Sequence, residues 1–148
     1  MNVEEIIKTS SKLPLERRTI IHLTLVQNKV NEMIATALKP FDVSLQQFNV
    51  LRILKGQRGN PANLSTLNER MVTKMSNTTR LVDKLLAKGY VKRNVCRDNR
   101  RKIEIFITNQ GLEALESMNM AVKQAESEAI QAFSENELKE LNRLLDKF

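Results

Sequence analysis

Cysteine and histidine each occur once in the 148-residue chain, as Cys96 and His22. One residue of each type cannot furnish a Cys/His zinc site or an internal disulfide framework. Glycine (4) and proline (3) are scarce too, which leaves little room for a many-turned β-sandwich or a glycine-rich phosphate loop. No run of 18 apolar residues occurs, and Met1-Asn2-Val3-Glu4-Glu5 holds no apolar signal core. Neither a membrane span nor a secretion signal is therefore expected, and the expected location is the cytoplasm. Nothing in the chain resembles a metal cluster, a nucleophile–base–acid set or a cofactor motif, so neither catalysis nor a cofactor is expected. At 41% hydrophobic and 28% charged residues, the composition is that of a globular, mostly helical chain.

Basic charge is what the chain has, and it is concentrated. The net charge is +7, yet residues 70–102 alone carry eleven Lys and Arg against Asp83 and Asp98. A surplus of that size in one segment is an electrostatic footprint for a polyanion. A charge run is often just a solvated face, but this one contains a helix followed by a hairpin. An anionic membrane fits less well, because the run lacks the bulky apolar face of a basic amphipathic helix.

Apolar periodicity predicts a long helix over 15–38, with Leu23, Val26, Val30, Met33 and Ala37 in one stripe. Pro40 ends it by disfavouring the helical region for Lys39. Ser44 and Gln47 form a capping box for a helix reaching Gly56. Asn63 caps a short helix over Leu64–Met71, and after a turn a further helix runs from about Ser76 to Lys88, stopped by Gly89. Tyr90–Cys96 and Lys102–Thr108 read as strands joined by a tip at 97–101, with Ile103, Ile105 and Ile107 alternating against Glu104 and Phe106. Thr108 caps a helix to about Phe133, and Ser134 with Glu137 forms a second capping box for a last helix.

Helix–turn–helix followed by a hairpin is a winged helix. The expected fold is mostly α with a small β-wing, a winged helix-turn-helix domain plus a helical dimerisation layer. The expected division is an N-terminal dimerisation helix (1–40), a DNA-binding lobe (41–108) and C-terminal dimerisation helices (109–148). The outer helices carry apolar stripes that one small lobe cannot cover, and a second copy is the simplest partner.

Helix 76–88 separates its faces. At about 100° per residue, Leu81, Val82, Leu85 and Leu86 share one side, whereas Arg80, Lys84 and Lys88 form a row of cations on the other. Short polar residues at the N-terminal end (Ser76, Asn77, Thr78, Thr79) followed by basic ones suit a major-groove reader. Asn77 has the geometry to pair with adenine and Arg80 with guanine; Ser76 suits a phosphate, or is simply the N-cap. At the hairpin tip, Asp98 and Asn99 make a tight turn. Arg97, Arg100 and Arg101 around it are suited to a narrow A·T-rich minor groove, with Asp98 orienting a neighbouring guanidinium.

Several of these segments together resemble the MarR family (multiple antibiotic resistance regulators). They are Leu45-Gln46-Gln47-Phe48-Asn49-Val50-Leu51, Leu64-Ser65-Thr66-Leu67-Asn68-Glu69-Arg70-Met71, Ser76-Asn77-Thr78-Thr79-Arg80-Leu81-Val82-Asp83-Lys84-Leu85, Lys88-Gly89-Tyr90-Val91-Lys92-Arg93, Asp98-Asn99-Arg100-Arg101 and Ile107-Thr108-Asn109-Gln110-Gly111. The resemblance implies a homodimeric winged-helix transcription factor that binds a pseudo-palindromic double-stranded operator, probing the minor groove with Arg100. It further implies release by a small aromatic effector held between the dimer layer and the lobes, where Met33, Phe48 and Met118 are apolar candidates. Two positions depart from the family pattern: Asn68 stands where a small Ala is usual, and Thr78 where a β-branched apolar residue is common. The N-terminal cysteine through which some relatives sense oxidants is absent, and Cys96 is either an inert small residue or, beside Arg93 or Arg97, an acidified thiol. His22 is expected at the surface or an interface. The competing reading is a winged-helix module that binds another protein, which the 70–102 surplus opposes because protein-interaction cores are depleted in charge.

Overall fold

Helical periodicity becomes helix throughout a computed structural model that describes residues 1–72, 77–95 and 103–148. In chain order the elements are α1 (Val3–Ile6), α2 (Leu15–Leu38), a 3₁₀ turn (Lys39–Phe41), α3 (Leu45–Gly56), α4 (Leu64–Arg70), α5 (Thr78–Ala87), β1 (Val91–Val95), β2 (Ile103–Ile107), α6 (Asn109–Ile130) and α7 (Glu135–Leu145). The short α1 and the 3₁₀ turn had no periodicity to announce them. Lys39 does leave the α-helix, but it continues into the 3₁₀ turn rather than extending, and Asp42 closes that turn in the left-handed region at φ 51°.

The expected caps form. The Ser44 N–H donates to Gln47 Oε1 at 2.8 Å while the Gln47 N–H donates to Ser44 Oγ at 3.2 Å, satisfying two otherwise orphan donors. Asn63 Oδ1 accepts from the Thr66 N–H at 2.8 Å, and Ser134 with Glu137 repeats the reciprocal box at the start of α7.

The chain divides into two compact units, 37–123 and 1–36 with 124–148. In the first, α3 packs against α4, α5 and β2, and α5 packs against α4 and β1. Phe48, Leu51 and Leu54 of α3, Leu67 of α4, Val82 and Leu85 of α5, Val91 of β1 and Ile105 of β2 form its core. The strands pair antiparallel from Val91 opposite Ile107 to Val95 opposite Ile103. Ala62 adds a bridge at the base of the sheet, exchanging both backbone hydrogen bonds with Ile105 at 3.0 and 2.8 Å. Ile105 is buried, but Ile103, Ile107, Glu104 and Phe106 are all half-buried. The clean two-faced strand is therefore blurred, in part because the Lys92 ammonium covers the cross-strand Phe106 ring at 5.4 Å.

In the second unit Val3 is fully buried, and Arg18 Nε donates to Glu4 Oε1 at 2.8 Å. Its helices otherwise leave much apolar surface open. α7 buries no residue, and Leu141, Leu144 and Leu145 remain 39%, 44% and 41% exposed. Leu15 and Ile20 on α2 are exposed as well. Among the described residues no helix is long and apolar enough to cross a membrane.

One joint fixes where α5, the wing and α6 meet. Gly89, at φ 71°, ends α5 in the left-handed conformation. The Gly89 N–H donates to Leu86 O at 2.9 Å and the Tyr90 N–H to Leu85 O at 3.0 Å, the pair of bonds that closes a Schellman motif. Thr108 Oγ1 donates to Gly89 O at 2.7 Å and accepts from the Gly111 N–H at 3.0 Å, while the Thr108 N–H donates to Tyr90 O at 3.0 Å. A Cβ on Gly111 would lie 2.1 Å from Tyr90 O, a backbone atom already held in that bond. Gly111→Ala is therefore expected to destabilise the fold by about 1–3 kcal/mol despite the better helix propensity of Ala. Urea denaturation measures this, and parental stability would show that the joint yields.

Candidate nucleic-acid interface

The helix expected to read DNA starts at Thr78, two residues later than its sequence suggests. Asn77 is its N-cap, with Oδ1 accepting from the Arg80 N–H at 3.3 Å. Thr78, Val82 and Leu85 are buried on one side, at 4%, 1% and 0% exposure. The spacing i, i+4, i+7 puts these three on a single stripe. Thr79, Arg80, Asp83, Lys84 and Ala87 are exposed on the remaining surface. The helix thus has an anchored face and an open, largely cationic face.

Of the residues expected to touch DNA, Asn77, Thr79, Arg80 and Lys84 lie on exposed positions of this element. Thr78 does not, and its assignment to the reading face is corrected. It lies in the middle of the buried stripe, and its hydroxyl donates to Asn68 Oδ1 of α4. The two departures from the family pattern are thus partners: a polar residue at each position supplies the other's hydrogen bond. The Asn77 amide oxygen is engaged in capping. Ser76, Arg97, Asp98, Arg100 and Arg101 lie outside the described residues, as does Cys96.

Lys88 is also removed from the expected row of cations. It is half-buried, and its Nζ donates to Asp42 Oδ2 at 2.6 Å. That bond and the Lys88 charge hold the Asp42 carboxyl below its ordinary value of 3.8. Phe48 and Met118, candidates for an effector pocket, are closed into the interior at 1% and 0% exposure. His22 and Met33 are half-buried.

Three features escaped the reading of the sequence. Asp83 places an acid on the cationic face of α5, where Arg93 Nη1 of β1 donates to its Oδ1 at 3.3 Å. This pair links the helix to the wing and commits one cation of the basic segment; both residues were visible, but not their ten-residue pairing. Arg52 lies over the Phe48 ring at 5.7 Å, an i, i+4 contact open to sequence inspection. With Asn49, Ile53, Arg70, Met71 and Val72 it lines an open groove of about 320 Å³. Val72 is 96% exposed.

Comparison with known proteins agrees with this geometry. The MarR family pattern matches residues 43–103. Over 124 residues the chain is 23% identical to the HTH-type transcriptional repressor IacR of Pseudomonas putida, an alignment covering 84% of this chain and 73% of that one. Its fold is similar to that of a MarR-like transcription regulator from Bacillus cereus, with a TM-score of 0.82 at 23% identity over 89% of this chain and 94% of that one. It is similar as well to apo MarR from E. coli (TM-score 0.72, 25% identity, 93% and 98% coverage). A mutant of that protein complexed with operator DNA gives 0.75 at 24% identity over 99% and 98%.

The ion pair at the end of α5 gives a pH signature. A carboxylate whose folded value is depressed contributes stability above its unfolded value and loses it as pH falls through the folded one. The Asp42 contribution is therefore in place above pH 3.8 and disappears at more acid pH. Thermal unfolding followed from about pH 6 to about pH 2.5 should show a shallower acid limb for Asp42→Asn than for the parent. Parallel limbs would mean that the Lys88 contact carries no linkage.

Proposed function

We propose that this chain, which matches the MarR family pattern over residues 43–103 and shares the fold of MarR-like regulators, acts as a homodimeric, sequence-specific reader of double-stranded DNA in the cytoplasm. α5 enters the major groove with Thr79, Arg80 and Lys84 outward and Asn77 at its tip, while Ser76 meets a phosphate. The wing residues Arg97, Arg100 and Arg101, oriented by Asp98, follow the adjacent minor groove. The carrying observation is the two-sidedness of α5, with its stripe of Thr78, Val82 and Leu85 buried and Arg80 and Lys84 exposed. A folded domain that anchors one side of a helix and leaves long cations on the other presents what a major groove accepts.

The dimer rests on a second observation, the uncovered apolar side chains of residues 1–36 and 124–148. Leu141, Leu144, Leu145 and Phe148 together are more apolar surface than a single small helix leaves to water without a partner. On this reading 1–40 and 109–148 supply the dimerisation helices and 41–108 the DNA-binding lobe. Two copies on a two-fold axis then read a pseudo-palindrome with half-sites about 34 Å apart. Repression as the sign of regulation follows the relative in Pseudomonas putida, a repressor by name. Release by a small aromatic effector extends the reading by family resemblance.

With about 6–10 phosphate contacts, affinity for duplex DNA should fall about 10³–10⁵-fold between 50 and 200 mM salt. Fluorescence anisotropy across that range tests it, and near-constant affinity would remove the basic segment as the docking surface. Single substitutions separate the two arms. Arg80→Ala should weaken a site selected from a random pool by about five- to 150-fold, relaxing preference at one base pair. Arg100→Ala should cost most on sites with A·T-rich flanks. If Arg100→Ala weakens all flanks alike, the wing does not read the minor groove.

A further inference from the structure

We infer that Asn68 and Thr78 are positioning residues for base readout: their hydrogen bond across the helix-turn-helix fixes the seating of α5 on α4, and with it the aim of Arg80. This rests on the proposed DNA-binding function and deepens it, since neither residue faces the ligand.

Most of the contact that seats α5 is apolar. Leu67 of α4, Met71 just beyond it, and Val82 and Leu85 of α5 are 0%, 5%, 1% and 0% exposed. Apolar burial is non-directional and tolerates small slides and rotations of one helix on another. A hydrogen bond does not, because it weakens steeply with misalignment. Thr78 is the first residue of α5, buried at 4% exposure, and its hydroxyl donates to Asn68 Oδ1 midway along the seven-residue α4. Any other seating of the two helices leaves that hydroxyl and that carbonyl without each other in a half-closed, poorly hydrated place. Among the seatings the apolar contacts allow, the polar pair therefore selects one.

Placement gives this selection its consequence. Thr78 lies next to the Asn77 cap and two residues before Arg80, at the end of the helix nearest the base edges. Base recognition by a guanidinium depends on bidentate alignment, whereas phosphate contacts by longer cations are forgiving. A loosened N-terminal turn should therefore cost discrimination between sequences, with little change in the number of phosphates contacted. Stability is not the main product of such a pair. The net gain from one hydrogen bond is small, and replacing both partners by apolar groups is close to neutral, whereas removing one leaves the other unsatisfied.

The test uses the full-length chain, duplexes selected from a randomised pool by the parent, and scrambled duplexes of equal length. Thr78→Val and Asn68→Ala singly should lower the unfolding midpoint, and the double variant should recover most of it. The double variant should nevertheless discriminate selected from scrambled duplexes about tenfold less well than the parent, with an unchanged slope of affinity against salt. Thr78→Ser, which keeps the hydroxyl and removes a methyl, should retain parental discrimination. A double variant that folds and discriminates like the parent overturns the inference. So does loss of discrimination in Thr78→Ser, which also decides the matter if the double variant does not fold. A parent that prefers no duplex fells the DNA-binding reading itself, and that result is seen before any variant is made.

Discussion

Three segments of this chain are held together by one residue, Thr108. Thr108 joins the carbonyl of Gly89, at the end of α5, to the first turn of α6, while its own N–H holds Tyr90 at the root of the wing. The arrangement works because two glycines make room for it. Gly89 takes a left-handed turn that a side chain would strain, and Gly111 lets a helix start against the carbonyl of Tyr90. The end of α5, and the line along which β1 leaves it, are therefore set by backbone geometry rather than by the exposed side chains of α5.

Ion pairs act on the same surface in a complementary way. Exposed salt bridges add little to stability, so Lys88 with Asp42 and Arg93 with Asp83 matter little as sources of it. Their effect is on the distribution of free charge. Lys88 is bound to the turn before α3, and Arg93 is shared with an acid on α5. The basic segment thus presents fewer independent cations than its composition suggests, with Arg80 and Lys84 foremost among those exposed on α5. Electrostatic attraction to a polyanion remains, but it is directed through particular side chains instead of spread over a uniform basic face.

Much of this architecture was legible in the sequence, for identifiable reasons. Capping boxes at Ser44 and Ser134, the glycine after α5 and the threonine before α6 are local signals, each decided by hydrogen bonds within a few residues. The order of helix, turn, helix and hairpin followed from them. What was not legible depended on distance or on phase. Ser76 and Asn77 are both good caps, and local signals do not decide between them. Thr78 is polar, which suggests an outward position, but its polarity serves a half-buried partner ten residues earlier. Asp83 with Arg93 and Lys88 with Asp42 join different elements, so no one-dimensional periodicity could pair them. The same holds for the small bridge at Ala62, which pairs with Ile105 of β2.

The separation of the two sides of α5 bears on how such a chain changes over generations. Thr79, Arg80, Asp83, Lys84 and Ala87 are open to water and contribute little to the interior, so they can be exchanged at little cost to folding. Thr78, Val82 and Leu85 cannot be exchanged so freely. If α5 reads DNA as proposed, drift at the outer five positions yields descendants that share this scaffold while preferring other duplexes.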